Sequence, residues 1–359
     1  TTENPMTETE LQSLAGAIPG IDPEILTAAQ ARLDDLTKPP GSLGRLEELG
    51  KRLCGIQGRV PPVVGRKRVY TLAADHGVTA EGVSAFPSEV TPQMVLNFLR
   101  GGAAINVLTR HAGAEIVVVD VGVNHDFDGV PGLVHAKVAS GTANLAVGPA
   151  MTRPQALQAL GVGVDLANSA VADGVRLLGI GEMGIGNSTP AAAILACLGG
   201  LSPDAVVGRG TGVDDAGLQR KADAVRRGLE VNRPVPGDGL DVLAKVGGLE
   251  IAGMAGLCLG AARHRLPVVV DGFIATAAAL IATRLAPAVA GYLFLSHVSQ
   301  EQAHGRMLEL LGQRPLLDLD LRLGEGTGSA LAFSLLDAAA KIMAEMATFS
   351  EAGVSGKDG

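Results

Sequence analysis

Six short apolar runs, each closing on a polar or charged residue and mostly separated by helix-length segments, constrain this chain more than any other feature. They are RVYTLAADHG, closing on Asp75 and His76; EIVVVDVG, on Asp120; RLLGIGEMG, on Glu182; AVVGRG, on Arg209; PVVVDGF, on Asp271; and YLFLSH, on Ser296 and His297. Runs of this kind read as strands buried on both faces, and their alternation with helical stretches predicts parallel βαβ units. Helices are expected at 91–110, 154–173, 188–199, 214–231, 239–263, 274–286 and 299–312. The fold class that follows is α/β, a doubly wound, mostly parallel sheet of Rossmann-like type. Ligands of such sheets bind outside the carboxyl ends of the strands. The residues that close the six runs therefore mark the edge where chemistry is expected.

The flanks look different. Segments 8–16, 22–36, 42–57 and 327–348 carry helical periodicity without strands. They are expected to pack as a small helical subdomain, residues 1–60 plus 313–359, beside a large α/β domain spanning 61–312. Residues 122–153, rich in Gly and Pro, are expected to form one long irregular excursion, which usually serves function or a partner.

Composition narrows the function classes. With 47% hydrophobic residues, 49 glycines, no Trp and 3% aromatics, the core must be aliphatic and packed through small residues. A net charge of −8 and no basic stripe argue against nucleic acid as a partner. The longest apolar runs, near 251–262 and 273–283, are too short to cross a bilayer and read as buried helices. Three single cysteines without a CxxC pair suit the buried, reduced thiols of a cytoplasmic protein. The acidic, polar start TTENPMTETE does not look like a signal peptide.

Three glycine-rich turns carry candidate chemistry. GIGEMGIGNSTP (179–190) follows a strand and opens a helix, with Ser188 or Thr189 as expected cap; such a turn offers backbone N–H groups to a phosphate or carboxylate. Gly179, Gly181 and Gly184 satisfy GxGxxG, so a nicotinamide-dinucleotide-dependent oxidoreductase is an alternative reading. It is weakened by Asp204, which has about the right spacing for a ribose ligand but precedes the next apolar run. Glu182 inside this turn would repel phosphate and suits ribose hydroxyls or a cationic ring. GRGTGVDD (208–215), followed by Lys221, is a second candidate cradle, equally readable as a plain loop. In RLGEGTGSA (322–330), Glu325 stands between two glycines just before a helix. Its carboxylate is expected to be ionised and helped by the helix dipole, which suits a general base. His297, Glu301 and His304 have metal-ligand spacing on a helix, but ordinary hydrogen bonding at a strand edge explains them better, and no metal is expected.

Eight ordered segments resemble one family. KPPGSLGRLE (38–47), AADHGVTAEGV (73–83), LRGGAAINVL (99–108), GEMGIGNSTPAAA (181–193), KVGGLEIAGMAG (245–256), LPVVVDGF (266–273), SHVSQEQAH (296–304) and RLGEGTGSALA (322–332) are similar to nicotinate-nucleotide–dimethylbenzimidazole phosphoribosyltransferases over nearly the whole chain. The resemblance implies transfer of phosphoribose from nicotinate mononucleotide to 5,6-dimethylbenzimidazole, giving α-ribazole 5′-phosphate and nicotinate for the lower ligand of cobalamin. It implies Glu325 as catalytic base and Glu182 as an assistant from the ribose side. Gly184, Gly186, Asn187, Ser188, Gly208, Gly210 and Lys221 fall at positions that bind the mononucleotide. Ser84, Phe86, Gln93, Met94 and Leu323 fall at the base pocket. Phe86 and Met94 fall where relatives place small or polar residues and a glutamine, so either the register here is shifted by a residue or two or the base pocket is more apolar, and adenine, another benzimidazole or a phenol stands as an alternative acceptor. No cofactor is implied, and the implied assembly is a homodimer.

Overall fold

The computed structural model describes residues 5–210 and 212–355. Six parallel strands form the main sheet: β1 (Arg66–Ala74), β2 (Glu115–Gly122), β3 (Leu133–His135), β4 (Val175–Met183), β5 (Val268–Val270) and β6 (Leu293–Leu295). Their order is β3-β2-β1-β4-β5-β6, the doubly wound arrangement. The chain leaves β1 toward one edge of the sheet and leaves β4 toward the other, so a crevice opens between their carboxyl ends.

Five of the six apolar runs form strands of this sheet. AVVGRG does not: Pro203–Val206 is a single helical turn opened by Pro203, and the chain after it is irregular. The sixth strand comes from within the expected excursion, where Leu133–His135 pairs with Val118–Asp120. Two long helices are also divided. Residues 91–110 split into Val90–Leu99 and Ala104–His111 around Gly101-Gly102, and 239–263 splits into Gly239–Val246 and Leu249–Arg263 around Gly247-Gly248. The apolar pattern runs through each break, whereas the glycine pair stops the backbone.

Alternation along β1 assigns the two faces of the sheet. Leu72 packs against Gly253, and the Tyr70 hydroxyl donates to the Leu166 carbonyl at 3.0 Å, so even positions meet helices Leu249–Arg263 and Arg153–Ala172. Val69 packs against Gly326 and Thr71 donates to the Glu325 carbonyl at 2.8 Å, so odd positions meet the start of helix Thr327–Glu345. That last helix continues from the sheet to Met343, which fills the space beside Gly50 of helix Arg45–Gln57.

Where Arg153–Ala172 crosses Leu249–Arg263, backbones nearly touch. A Cβ at Gly163 would lie 1.9 Å from the Gly253 carbonyl oxygen, and one at Gly256 would lie 2.0 Å from that of Leu160. Gly163 lies against Gly253 and Gly256, and Gly260 against Ala167; Gly163 and Ala167, like Gly256 and Gly260, are small residues four apart, the pattern that permits close backbone approach. This is the aliphatic, small-residue core that the composition demands.

Candidate active site

A cavity of about 350 Å³ opens at the β1/β4 crevice. It is lined by residues after β1 (Val83 to Met94), at and after the end of β4 (Glu182 to Ser188), after β5 (Gly272 to Ile274) and after β6 (His297 to Glu301), and by the segment Arg322 to Glu325. Twelve of the fourteen residues expected from sequence meet there: Ser84, Phe86, Met94, Glu182, Gly184, Gly186, Asn187, Ser188, Gly210, Lys221, Leu323 and Glu325.

Gln93 and Gly208 do not line it. Gln93 is exposed on helix Val90–Leu99; it precedes Met94 by about 100° of helical turn, so the two cannot share a face. Gly208 lies behind the wall, where its carbonyl accepts from Lys221 Nζ at 2.9 Å and Glu301 fills the space a side chain would need.

Glu325 reaches this edge because the chain beyond β6 folds back over the sheet. The step needs a bare backbone in β4: a Cβ at Gly181 would lie 2.2 Å from the Gly326 nitrogen. Gly324, Glu325 and Gly326 all have positive φ, at 88°, 64° and 98°. This turn aims the Glu325 carboxylate at the start of helix Ala104–His111, where its Oε2 accepts from the Ile105 N–H at 3.3 Å. Burial raises its pKa above the ordinary carboxylate value, and the Ile105 hydrogen bond opposes that. The expectation of a carboxylate helped by its own helix dipole is therefore corrected. The amides of Gly326 and Gly328, at the start of helix Thr327–Glu345, donate to Asp271 instead, at 2.8 and 2.7 Å.

Glu182 closes β4 and is buried beside Gly324, where any Cβ would strike its Oε1. Its Oε2 accepts from Asn187 Nδ2. Burial, with the nearby charges of Glu250, Asp271 and Glu325, pushes its pKa up to about 8, while Asn187 pulls the other way. Near neutral pH it is mostly a carboxylic acid, able to donate a hydrogen bond.

Beyond Asn187 begins helix Ser188–Gly199. Neither Ser188 nor Thr189 caps it; Asn187 holds the cap position but turns its amide to Glu182. The helix end consequently faces the cavity without a side-chain cap, an arrangement suited to an anion. Ser188 Oγ instead accepts from Lys221 Nζ at 3.0 Å. Lys221 is almost fully buried, and burial lowers its pKa, with Glu301 opposing. Its hydrogen bonds go to neutral oxygens, Ser188 Oγ and the Gly208 carbonyl, so a phosphate at the helix end would add negative charge to that of Glu301.

Another part of the wall is apolar: Val83, Phe86, Val90, Met94, Ile185 and Leu323 form a slot, with Ser84 and Arg322 as polar neighbours. Phe86 and Leu323 are half exposed, at 50% and 57%. Flat aromatic ligands suit such a slot. His297 is buried, and burial drives its pKa down to about 4, so it is a neutral imidazole. The helix after it begins only at His304, which breaks the helical spacing of His297, Glu301 and His304; no metal-binding cluster occurs among the described residues.

Sequence reasoning did not assign Met183, Ile185, Phe273, Ile274, Ser299 and Arg322 to the site, and it marks His297 and Glu301 only as a strand end and a metal-like spacing; all eight line the cavity. Their common signal is position: each lies within a few residues after a run's closing polar group or next to an expected site residue. The dinucleotide reading fails on geometry. Asp204 sits in the helical turn Pro203–Val206 and pairs with Arg226 at 3.2 Å, away from the GxGxxG turn's cavity.

Comparison with known proteins gives the family. A family model described as phosphoribosyltransferase matches residues 18–354. A nicotinate-nucleotide–dimethylbenzimidazole phosphoribosyltransferase of Geobacter sulfurreducens is 60% identical over 338 residues, 94% of this chain and 96% of the relative. The chain belongs to the nicotinate-nucleotide–dimethylbenzimidazole phosphoribosyltransferase family. The relative of that name from Chloroflexus aggregans is 58% identical over 94% of this chain and 96% of its own length. The crystal structure of the Thermus thermophilus family member superposes with a TM-score of 0.88 at 54% identity, covering 93% of this chain and 99% of that one. Membership in this phosphoribosyltransferase family leaves the oxidoreductase alternative without support.

Proposed function

We propose that this protein transfers phosphoribose from nicotinate mononucleotide to 5,6-dimethylbenzimidazole, forming α-ribazole 5′-phosphate and nicotinate in the synthesis of the cobalamin lower ligand. The observation that carries the reading is the placement of Glu325: a buried carboxylate at the meeting point of an apolar aromatic slot and an uncapped helix end backed by Lys221. Phosphate takes the helix end, Ser188 and Lys221. The ribose lies beside Glu182, whose protonated carboxyl donates to a hydroxyl. The base enters between Phe86, Met94 and Leu323.

One nitrogen of the base attacks the anomeric carbon while the other gives its proton to Glu325. The bond from that carbon to the nicotinate nitrogen breaks, and its electron pair neutralises the pyridinium. The leaving group is already cationic, so no acid is needed to expel it. Alignment of two rings and one phosphate supplies ~7–11 kcal/mol of the barrier lowering.

Incubation with nicotinate mononucleotide and dimethylbenzimidazole, followed by chromatography for free nicotinate and α-ribazole 5′-phosphate, tests the reading. Absence of turnover with benzimidazole, purine and phenol acceptors overturns it. The homodimer and the cytoplasm belong to the same reading. Three buried free thiols support a reducing compartment, no helix among the described residues is long and apolar enough to cross a membrane, and light scattering decides the oligomeric state.

A further inference from the structure

Asp271 closes β5 with no evident chemical task in the sequence. Its buried carboxylate is taken up by the two backbone amides already described, those of Gly326 and Gly328. These belong to the first turn of helix Thr327–Glu345, whose own cap position is Gly326 and has no side chain. A capping residue cannot stand there: φ is 98°, and a Cβ would lie 2.6 Å from Val69 Cγ1. The cap has therefore moved to another strand.

The residue next to that cap is Glu325, a non-glycine held in the left-handed region, where strain persists only if the surroundings over-determine it. Two anchors flank it. Thr71 donates to its carbonyl, and Asp271 fixes the amides just downstream. Behind Asp271 stands the neutral ring of His297, with Nδ1 3.8 Å from Oδ1 and Ser296 Oγ at 2.9 Å from the same nitrogen. A Cβ at Gly328 would lie 2.1 Å from that Nδ1, so the helix start is wedged between ring and carboxylate.

We propose that Asp271 is a positioning residue: it holds the left-handed turn that points the Glu325 carboxylate at the base. The proposal rests on Glu325 being the proton acceptor. Asparagine at 271 keeps one acceptor but turns an N–H toward a backbone N–H, so the turn loses one anchor.

The test is a double-mutant cycle of Asp271→Asn, Glu325→Gln and the pair, with kcat and both KM values measured. The expected result is a fall in kcat of about tenfold or more for Asp271→Asn, nicotinate mononucleotide KM within about threefold, and no further loss when Asp271→Asn is added to Glu325→Gln. A structural role alone would multiply the two losses, and that result overturns the proposal while leaving Glu325 in place. Wild-type kcat in Asp271→Asn also overturns it. Full activity in Glu325→Gln removes the underlying reading and the proposal with it. Should Asp271→Asn fail to fold, Asp271→Glu enters the same cycle: it keeps both acceptors, shifts the turn by one methylene, and is expected to lose kcat only where Glu325 is present.

Discussion

Gly181→Ala isolates the position of Glu325 from its chemistry. The added methyl would lie 2.2 Å from the Gly326 nitrogen, 2.4 Å from the Glu325 carbonyl carbon and 2.4 Å from the Gly326 Cα. Relaxed contacts begin at ~3.5 Å, so something must retreat by about 1 Å. Strand β4 cannot, because Gly181 is in register with Thr71 of β1, and β5 flanks the same strand on its other edge. The turn at 324–326 moves instead. A misplacement of about 1 Å costs about 100-fold in rate, so kcat is expected to fall by about that factor while nicotinate mononucleotide KM stays within about threefold. Lys221 and Ser188 stand on other elements and keep the donor. Overpacking costs ~1–3 kcal/mol, which lowers the melting temperature by a few degrees without unfolding the protein. Steady-state release of nicotinate, with a melting curve on the same sample, measures both. A folded variant with near wild-type kcat would show that the turn's position is not what the base depends on. A rise in donor KM matching the loss of kcat would place the damage at Glu182 instead.

Other outcomes follow from single contacts. Glu325→Gln keeps the hydrogen bond from Ile105 but cannot take a proton, so kcat should drop ~10²–10⁴-fold with donor affinity retained; isothermal titration and turnover together check this. Lys221→Ala should weaken donor binding about tenfold or more, and unchanged affinity removes Lys221 from the phosphate site. Phe86→Ala should raise the dimethylbenzimidazole KM about tenfold and leave the donor KM alone, because the ring lines only the apolar slot. For Glu182, the folded pKa of about 8 stands above the ordinary value of 4.5. Its contribution to stability is whole below about pH 4.5 and is lost progressively until about pH 8, as the unfolded chain ionises first. Glu182→Gln cannot ionise, so its melting temperature relative to wild type should be more favourable near pH 9 than near pH 5; an equal difference at both contradicts the raised pKa.

What is legible in the sequence follows the range of the forces involved. The polar closures of the apolar runs locate the site edge because side-chain alternation and strand ends are local properties. GIGEMGIGNSTP and RLGEGTGSA stand out because backbone that must bend sharply or approach closely needs glycine. AVVGRG misleads because β-branched content does not distinguish a strand from a short helical turn opened by Pro203. The edge strand Leu133–His135 escapes notice because three residues carry no period. Nothing within reach of Asp271 in sequence signals its partners, which lie 55 and 57 positions away. The ionisation of Glu182 and Glu325 is invisible for the same reason: burial and neighbouring charge come from segments that meet only after folding.

The glycine crossing of the two long helices has a consequence for how this enzyme can fail. A methyl group added at Gly163 or Gly256 strikes a carbonyl oxygen rather than a side chain, so no rotamer change can relieve it. Lesions there would deplete folded enzyme while leaving the kinetics of the survivors normal. A screen that ranks variants by rate per molecule would pass them, and one that ranks by melting temperature would pass a Glu325→Gln variant with the low rate expected of it. The helix crossing and the Glu325 turn both depend on glycine, yet their losses appear in different assays.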